Sequence, residues 1–130
     1  MTPDARAEVP ATIAEADGRM LGIVAARAAD EKLGIDPVVL DMEALLSVVD
    51  AFVVVAGRNA RHVDALVDDI EAATKATFGR GPNRIEGRSD GRWVLLDYGD
   101  AIIHVFDEET RAFYDLEHLW SSAPRVAWQG

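Results

Sequence analysis

The residues of this sequence that could do chemistry are concentrated in one stretch, WVLLDYGDAIIHVF, at residues 93–106. Asp97 and Asp100 lie three positions apart, and His104 follows within an aliphatic run. Paired carboxylates can hold a metal ion or do acid–base work, and a histidine can act as a general base. Each also has a plainer interpretation. The aspartates would form a solvated turn base or bind a basic partner, and His104 would be a hydrogen-bonded histidine of the core or of an interface.

A second set of polar side chains follows in the segment DEETRAFYDLEHLW. Arg111, Tyr114 and Glu117 recur every three residues, so they can line one side of a helix. The same pattern is typical of a solvated helix face with local salt bridges, and Tyr114 is also a candidate packing residue. The other two histidines, His62 and His118, have no metal-ligand spacing, so we predict no metal site.

These residues are not accompanied by a sequence motif that is typical of an enzyme active site. The glycine-rich FGRGPN at residues 78–83 lacks the lysine and hydroxyl of a phosphate-binding loop, and it is not a dinucleotide fingerprint. The G-x-S-x-G motif of a serine nucleophile does not occur. This pattern favours a binding function over an enzyme, and we expect no cofactor.

Length and composition narrow the class of protein. The chain has 130 residues, which suits one domain, and it has no cysteine, which is typical of a reducing compartment. No run approaches the ~18 apolar residues of a membrane span, and the first residues carry acids and prolines where a signal peptide needs a basic start. We therefore expect a soluble cytoplasmic protein.

The net charge of −10 bears on the kind of partner. Binding to bare nucleic acid usually needs a basic patch that displaces counterions from phosphates, so we expect no direct sequence-specific nucleic-acid binding. An acidic protein instead suits a basic protein partner. Acidity also simply keeps a chain soluble, and composition does not separate these two explanations.

Helical and strand patterns alternate along the chain. They fall at residues 12–33 (helix), 38–40 (strand), 51–57 (strand), 59–78 (helix), 84–86 (strand), 93–106 (hairpin) and 107–120 (one or two short helices). This order predicts an α/β fold in which helices cover a mixed sheet of about five strands.

The domain boundaries follow from the same patterns. We expect a flexible N-terminal lead at residues 1–10, one α/β domain at residues 11–123 and a C-terminal tail at residues 124–130, because order should end at the segment SSAPR.

The hairpin divides into two faces because side chains alternate along a strand. With Tyr98 and Gly99 as a two-residue turn, Asp97 pairs with Asp100 and Trp93 with His104. A longer turn would shift this pairing and keep the alternation. One face is wholly aliphatic and should lie under helices: Val94, Leu96, Ala101, Ile103 and Val105. The other resembles the core of a protein interface: Trp93, Leu95, Asp97, Asp100, Ile102, His104 and Phe106.

Residues 92–120 closely resemble the signature of the ribosomal silencing factor family, also called Iojap. The family pattern is a Trp, D-Y-G-D, an aliphatic run, H-x-F, an Arg and F-Y-x-L-E-x-L-W. It matches Trp93, residues 97–100, His104, Phe106, Arg111 and residues 113–120. The segments VVDAFVVVAGRNARHVDAL and RIEGRSDGRW are similar to two further family segments, so the resemblance covers roughly residues 20–125. Ala51 departs from the pattern, which usually has an aromatic residue there.

The resemblance implies a protein that binds the large ribosomal subunit through ribosomal protein number fourteen. Bound there, such a protein sterically prevents the two subunits from joining and damps translation when nutrients are scarce. The resemblance also implies a nucleotidyltransferase-like topology without known catalysis, and a homodimer when the protein is free. The G-S and D-x-D motif of nucleotidyltransferases is absent, since Asp97 and Asp100 are spaced D-x-x-D.

Our leading hypothesis from the sequence is therefore a translational repressor that acts by occlusion. Between residues 93 and 120, seven acidic side chains accompany a single base, Arg111, and complementary charge would favour a basic ribosomal protein. The residues that we assign to the partner are Trp93, Tyr98, His104 and Phe106 for apolar or stacking contact, Asp97, Asp100 and Glu117 for basic side chains, and Arg111 and Tyr114 for holding the adjoining helix or touching the partner. A structural role is the alternative for Trp93.

Two alternatives from other classes remain open at this point. One is a divergent metal-dependent nucleotidyltransferase-like enzyme. The other is a self-associating module whose aromatic face closes a dimer.

Overall fold

The computed structural model describes residues 17–129 of the chain. Within this range the helices and strands follow in the order α1 (Gly18–Glu31), β1 (Ile35–Asp41), β2 (Ala51–Gly57), α2 (Ala60–Phe78), β3 (Arg84–Glu86), β4 (Trp93–Asp97), β5 (Ala101–Asp107), α3 (Glu108–Tyr114), α4 (Leu116–Leu119) and β6 (Arg125–Val126). The expected lead at residues 1–10 and the start of the expected first helix lie outside the described residues.

One six-stranded mixed sheet forms the centre of the fold, with the strand order β3-β4-β5-β2-β1-β6. β2 and β5 are parallel, and α2 begins the long connection that a parallel pair requires. The other neighbouring pairs are antiparallel. The predicted α/β class and mixed sheet are confirmed, and the structure adds a sixth strand, β6.

Helices α1 and α2 cover the first face of the sheet. The aliphatic side chains of the hairpin lie beneath them as predicted, in one core cluster with Leu21 and Ala25 of α1 and with Leu66 and Ile70 of α2. Gly18 allows α1 to start against the sheet, because a Cβ there would lie 2.2 Å from the carbonyl oxygen of Asp100.

Local capping sets the ends of both long helices. Asp17 caps α1 by accepting a hydrogen bond from the Met20 amide, and Asn59 caps α2 by accepting one from the His62 amide. Gly79 ends α2 in the left-handed conformation, at φ 70°. The ends predicted for α2 are therefore confirmed, whereas α1 ends at Glu31, two residues earlier than expected.

The hairpin pairs in a different register from the one expected. Trp93 pairs with Phe106 and Leu95 with His104, and the Tyr98 amide donates to the carbonyl of Ala101 over 2.9 Å. The turn therefore consists of Gly99 and Asp100, so the predicted pairing of Asp97 with Asp100 is wrong. The shift is two residues, which leaves every strand side chain on its predicted face and moves Asp100 into the turn. It also turns the ring of Tyr98 into the core, where burial of an aromatic ring contributes to stability.

The C-terminal segment is part of the fold, which corrects the expected tail at residues 124–130. β6 pairs with β1, and Trp128 is buried in the main core cluster. The Trp128 indole N–H donates to the carbonyl of Pro37 over 2.9 Å, and Arg27 donates to the carbonyl of Trp128 over 2.6 Å. These contacts close the edge of β1, which the sequence left open.

Candidate protein-binding surface

The second face of the sheet carries the mixed surface of the hairpin. We call it the aromatic face, and its residues are Phe52, Trp93, Leu95, Asp97, Ile102, His104 and Phe106. Leu95 and Ile102 remain partly exposed, whereas Leu96 and Ile103, their neighbours on the first face, are fully buried. The half of the second face on β4 and β5 is therefore less covered than the first.

The other half of the second face is covered by the chain itself. Trp120 and Ala123, from the C-terminal segment, pack with Leu40 and Met42 at β1. Leu46 and Val49 of the β1–β2 connection join this second, smaller core cluster. The accessible part of the aromatic face is thus confined to β4, β5 and the rim of β2.

A row of touching aromatic rings runs across this surface. Phe113 and Tyr114 of α3 are 5.0 Å apart between ring centroids, and Tyr114 lies 4.7 Å from Trp93. Trp93 lies 4.9 Å from Phe106, and His104 lies 5.0 Å from Phe52. The row begins in solvent, since Phe113 is 79% exposed, and it ends in the core, since Phe106 is 1% exposed.

His104 is buried as a neutral side chain. The indole N–H of Trp93 donates to its Nδ1 over 3.1 Å, and burial lowers the pKa of His104 to about 4. Its Nε2 is buried and has no hydrogen-bond partner among residues 17–129. The predicted hydrogen bond thus exists, but the imidazole lies beneath the surface and does not form the surface itself.

Asp97 and Asp100 are paired with arginines of the chain itself. Arg80 binds Asp100 over 2.9 and 3.2 Å and the carbonyl of Tyr98 over 2.9 Å. The hydrogen bond to Asp100 raises the pKa of Arg80 above its ordinary value although burial opposes it. Arg84 lies 3.4 Å from Asp97, which also accepts a hydrogen bond from the Gly99 amide.

These ion pairs correct the expectation that Arg111 is the single base facing the acids of residues 93–120. Arg80 and Arg84 come from outside that segment, which is why the local charge count missed them. Both aspartates hold the turn together before any partner arrives, so neither carboxylate is a free acidic group.

Arg111 and Glu117 form a pair that ties the terminal helices to the sheet. Their closest contact is 2.6 Å, and their side chains are only 13% and 19% exposed. Arg111 also donates to the carbonyls of Ile35 and Asp36, each over 2.8 Å. The guanidinium is therefore fully used within the chain, where it holds α3 and α4 against β1.

Tyr98, predicted from the sequence as a partner contact, is buried in this structure. Its ring is 2% exposed, and its hydroxyl lies 2.9 Å from Oγ1 of Thr74. Thr74 can donate to the carbonyl of Glu71 over 3.2 Å, which leaves the Tyr98 hydroxyl as the donor to Thr74. Burial raises the pKa of Tyr98.

The nine predicted site residues thus fall into three groups. Trp93 and Tyr114 are accessible, Asp97, Asp100, Arg111 and Glu117 are in ion pairs at or near the surface, and Tyr98, His104 and Phe106 are buried. Among accessible side chains, the prediction omitted Leu95, Ile102 and Phe113. Alternation along the strands places Leu95 and Ile102 on the aromatic face. The signal for Phe113 was its position next to Tyr114 in the short helix α3.

The part of the chain that the structure describes has no grouping of side chains that would hold a metal. Within residues 17–129, no three histidine, aspartate or glutamate side chains converge as a metal site would require. In the same part of the chain, no helix has both the length and the apolar character to cross a membrane.

Fold and surface together define an α/β domain with one face of its sheet under helices and the other partly open and aromatic. Residues 15–130 match the family model described as ribosomal silencing factor during starvation. The chain belongs to this family of ribosome-associated translation regulators.

Similar proteins have both the sequence and the fold in common with this chain. It is 35% identical to ribosomal silencing factor RsfS of Halalkalibacterium halodurans over 107 residues, which cover 82% of this chain and 91% of the relative. It is 38% identical to RsfS of Bacillus subtilis over 101 residues, or 78% and 85% of the two chains. A crystal structure of a Chromobacterium violaceum protein superposes with a TM-score of 0.76 at 30% identity, covering 88% of this chain and 95% of that one.

Proposed function

We propose that this protein binds the large ribosomal subunit through ribosomal protein number fourteen and sterically blocks joining with the small subunit. It acts in the cytoplasm by occupying a docking surface, and it makes or breaks no bond. The partly open aromatic face is the observation that carries this proposal.

The aromatic face has the character of an interface core. Trp93, Leu95 and Ile102 present apolar area at the surface, where a partner that excluded water would gain binding energy. Trp93 is held by its hydrogen bond to His104 and by ring contacts on two sides, so little side-chain entropy is lost when it binds. A preorganised aromatic anchor of this kind is typical of an interface hot spot.

Charge favours a basic partner. The net charge is −10, and the acids of the hairpin turn are already matched by Arg80 and Arg84. The exposed acids of α3, Glu108 and Glu109, have no ion pair among the described residues. They would steer a cationic protein towards the edge of the aromatic face.

Free copies of the protein form a homodimer in this proposal, and the aromatic face closes it. Size-exclusion chromatography with light scattering should then give twice the monomer mass. Leu95→Arg should give the monomer mass, because an unpaired charge at the centre of an apolar contact is costly. A monomeric wild type would remove the dimer from the proposal and leave ribosome binding intact.

The test of the main proposal is sedimentation with purified large subunits, followed by addition of small subunits. The wild type should cosediment and lower the fraction of joined ribosomes. Leu95→Arg should weaken binding by about thirty-fold or more, the size of a hot-spot loss. The matched control is Ala76→Arg on the exposed side of α2, which adds the same charge away from the aromatic face and should bind like the wild type.

The result that would sink the proposal is a wild type that stays in the supernatant at concentrations well above those of the subunits. Turnover of a nucleotide with a divalent metal that disappears in Asp97→Asn would favour the enzyme alternative instead. Self-association without any ribosome binding would favour the self-associating module.

A further inference from the structure

A groove lies beside the accessible end of the aromatic row, between the β3–β4 connection and α3. We call it the Trp93 groove, and it has a volume of about 510 Å³. Its lining combines the rings of Trp93, Phe113 and Tyr114 with the carboxylates of Asp90 and Glu109. Neither the hydrogen bonds of the turn nor the ion pair of Arg111 with Glu117 uses these two carboxylates.

The aromatic wall of the groove is presented to solvent. Phe113 is 79% and Tyr114 48% exposed, and the two rings meet edge to face at 88°. Tyr114 in turn touches Trp93, so the three rings form one continuous surface. Aromatic faces carry negative potential, and they attract a guanidinium or ammonium group that lies over them.

The two carboxylates of the acidic wall form no ion pair within the described part of the chain. Neither Asp90 nor Glu109 has an arginine or lysine nitrogen within 4.0 Å among residues 17–129, whereas Asp97, Asp100 and Glu117 are paired. Arg92 lines the same groove and also has no ion pair in that part of the chain. The groove thus carries two carboxylates, three rings and the exposed side chain of Arg92.

We propose that the Trp93 groove takes an arginine side chain of the basic protein partner, with its guanidinium over the aromatic wall and within reach of Asp90 and Glu109. This proposal rests on the proposed function for the identity of the partner. The choice of an arginine side chain rests on the chemistry of the groove itself. Arginine fits better than lysine because its planar guanidinium stacks on aromatic rings and binds carboxylates through bidentate hydrogen bonds. Arg92 also lines the groove and would compete with the incoming guanidinium for the two carboxylates.

The proposal predicts that some groove variants weaken arginine binding and that another strengthens it. Phe113→Ala, at an exposed helix position, should weaken arginine binding about three-fold, the size of an exposed cation–π contact. The double variant Asp90→Asn with Glu109→Gln should weaken it about five-fold, as expected for two exposed ion pairs. Arg92→Ser should strengthen it about two-fold, because the competing cation is gone.

The matched control separates the groove from general acidity. Glu31→Gln with Glu43→Gln removes the same two charges at exposed sites outside the groove, where neither side chain has an ion pair among the described residues. It should change arginine binding by less than about 1.5-fold, because charges beyond a Debye length are screened.

The first arm of the experiment adds a tetra-arginine amide peptide to the isolated protein, at a concentration at which light scattering gives the monomer mass. It records the nuclear magnetic resonance signals of the Trp93 indole N–H and the Thr110 amide. The expected result is a saturable shift at both signals, ordered across the variants as above and absent with tetra-glutamine. No saturable shift, or equal weakening in the groove double variant and its matched control, would overturn the groove proposal.

The second arm repeats the large-subunit sedimentation with the same variants. If the peptide binds the groove but the wild type does not cosediment with subunits, the groove stands and the proposed function fails. If the wild type cosediments and the groove variants bind subunits as tightly as it does, the groove proposal fails and the proposed function stands.

Discussion

The indole N–H of Trp93 donates a hydrogen bond to Nδ1 of His104 over 3.1 Å, between neighbouring strands of the aromatic face. Because Nδ1 accepts, the single proton of the neutral imidazole lies on Nε2. That atom is buried with no partner among the described residues, and an unmade hydrogen bond of this kind costs about 1–3 kcal/mol. The accessible Trp93 is thus positioned by a histidine that the fold holds at a cost in stability.

We expect the free energy of unfolding to decrease as the pH is lowered, because of His104. Its pKa is about 4 in the folded protein and about 6.5 in the unfolded chain, so only the unfolded chain gains a proton between these values. Stability is nearly unaffected by this group above pH 6.5 and decreases by about 1.4 kcal/mol per pH unit as the pH falls from about 6.5 to about 4. Urea unfolding at pH 7 and pH 5 measures the difference.

The variant His104→Leu isolates this contribution. The rings and aliphatic side chains around His104 do not titrate in this range, so the variant should lose about 2 kcal/mol less than the wild type between pH 7 and pH 5. At pH 7 it should unfold at equal or higher urea concentration, because the unpaired Nε2–H is gone and partly exposed Trp93 can donate to water. Equal pH dependence in the two proteins would contradict the assigned protonation state.

Arg111→Met should lower the free energy of unfolding by about 3 kcal/mol. It leaves the half-buried Glu117 carboxylate and the carbonyls of Ile35 and Asp36 without their donor. Arg111→Lys should recover only part of the loss. The planar guanidinium spreads its donors over all three acceptors, whereas the compact ammonium of lysine cannot reach all of them. The control is Arg84→Met, since that side chain is 67% exposed and its ion pairs should contribute less than about 1 kcal/mol. Chemical denaturation of the three variants tests the ordering.

Leu33→Gly should raise the free energy of unfolding by about 1 kcal/mol. Leu33 follows α1 at a positive φ of 64° and is 68% exposed, so its side chain costs backbone strain and buries little surface. Glu31→Gly, inside the last turn of the same helix, should lower stability by about 1 kcal/mol instead. Thermal unfolding of both variants checks the signs, and a destabilised Leu33→Gly would show that Leu33 makes a contact in solution that offsets the strain.

Trp128→Ala should lower the free energy of unfolding by about 3 kcal/mol or more, as large-to-small changes of buried aromatic residues do. The side chain is 9% exposed and donates to the carbonyl of Pro37. Gln129→Ala, one position further and exposed, should leave the midpoint of thermal unfolding unchanged. A Trp128→Ala protein as stable as the wild type would restore the C-terminal tail that the sequence predicted.

The local features of the fold were predictable from the sequence because they depend on neighbouring residues. The cap at Asn59 and the stop at Gly79 act within one turn of helix, and the helical spacing of Val63, Leu66 and Ile70 identifies the face that they bury. The two faces of the hairpin follow from alternation alone, which is why they survived a wrong register. Alternation also placed Trp93 on the face that the structure leaves partly open.

Contacts between distant parts of the chain were decided by the tertiary structure. Arg80 reaches Asp100 across twenty positions, Arg111 reaches Ile35 across 76, and Trp128 reaches Pro37 across 91. No local pattern encodes such partners, because each depends on how the sheet orders its strands. The sequence therefore determined which side chains share a face, and only the folded sheet decided which of them are buried, which are neutralised and which remain open to another molecule.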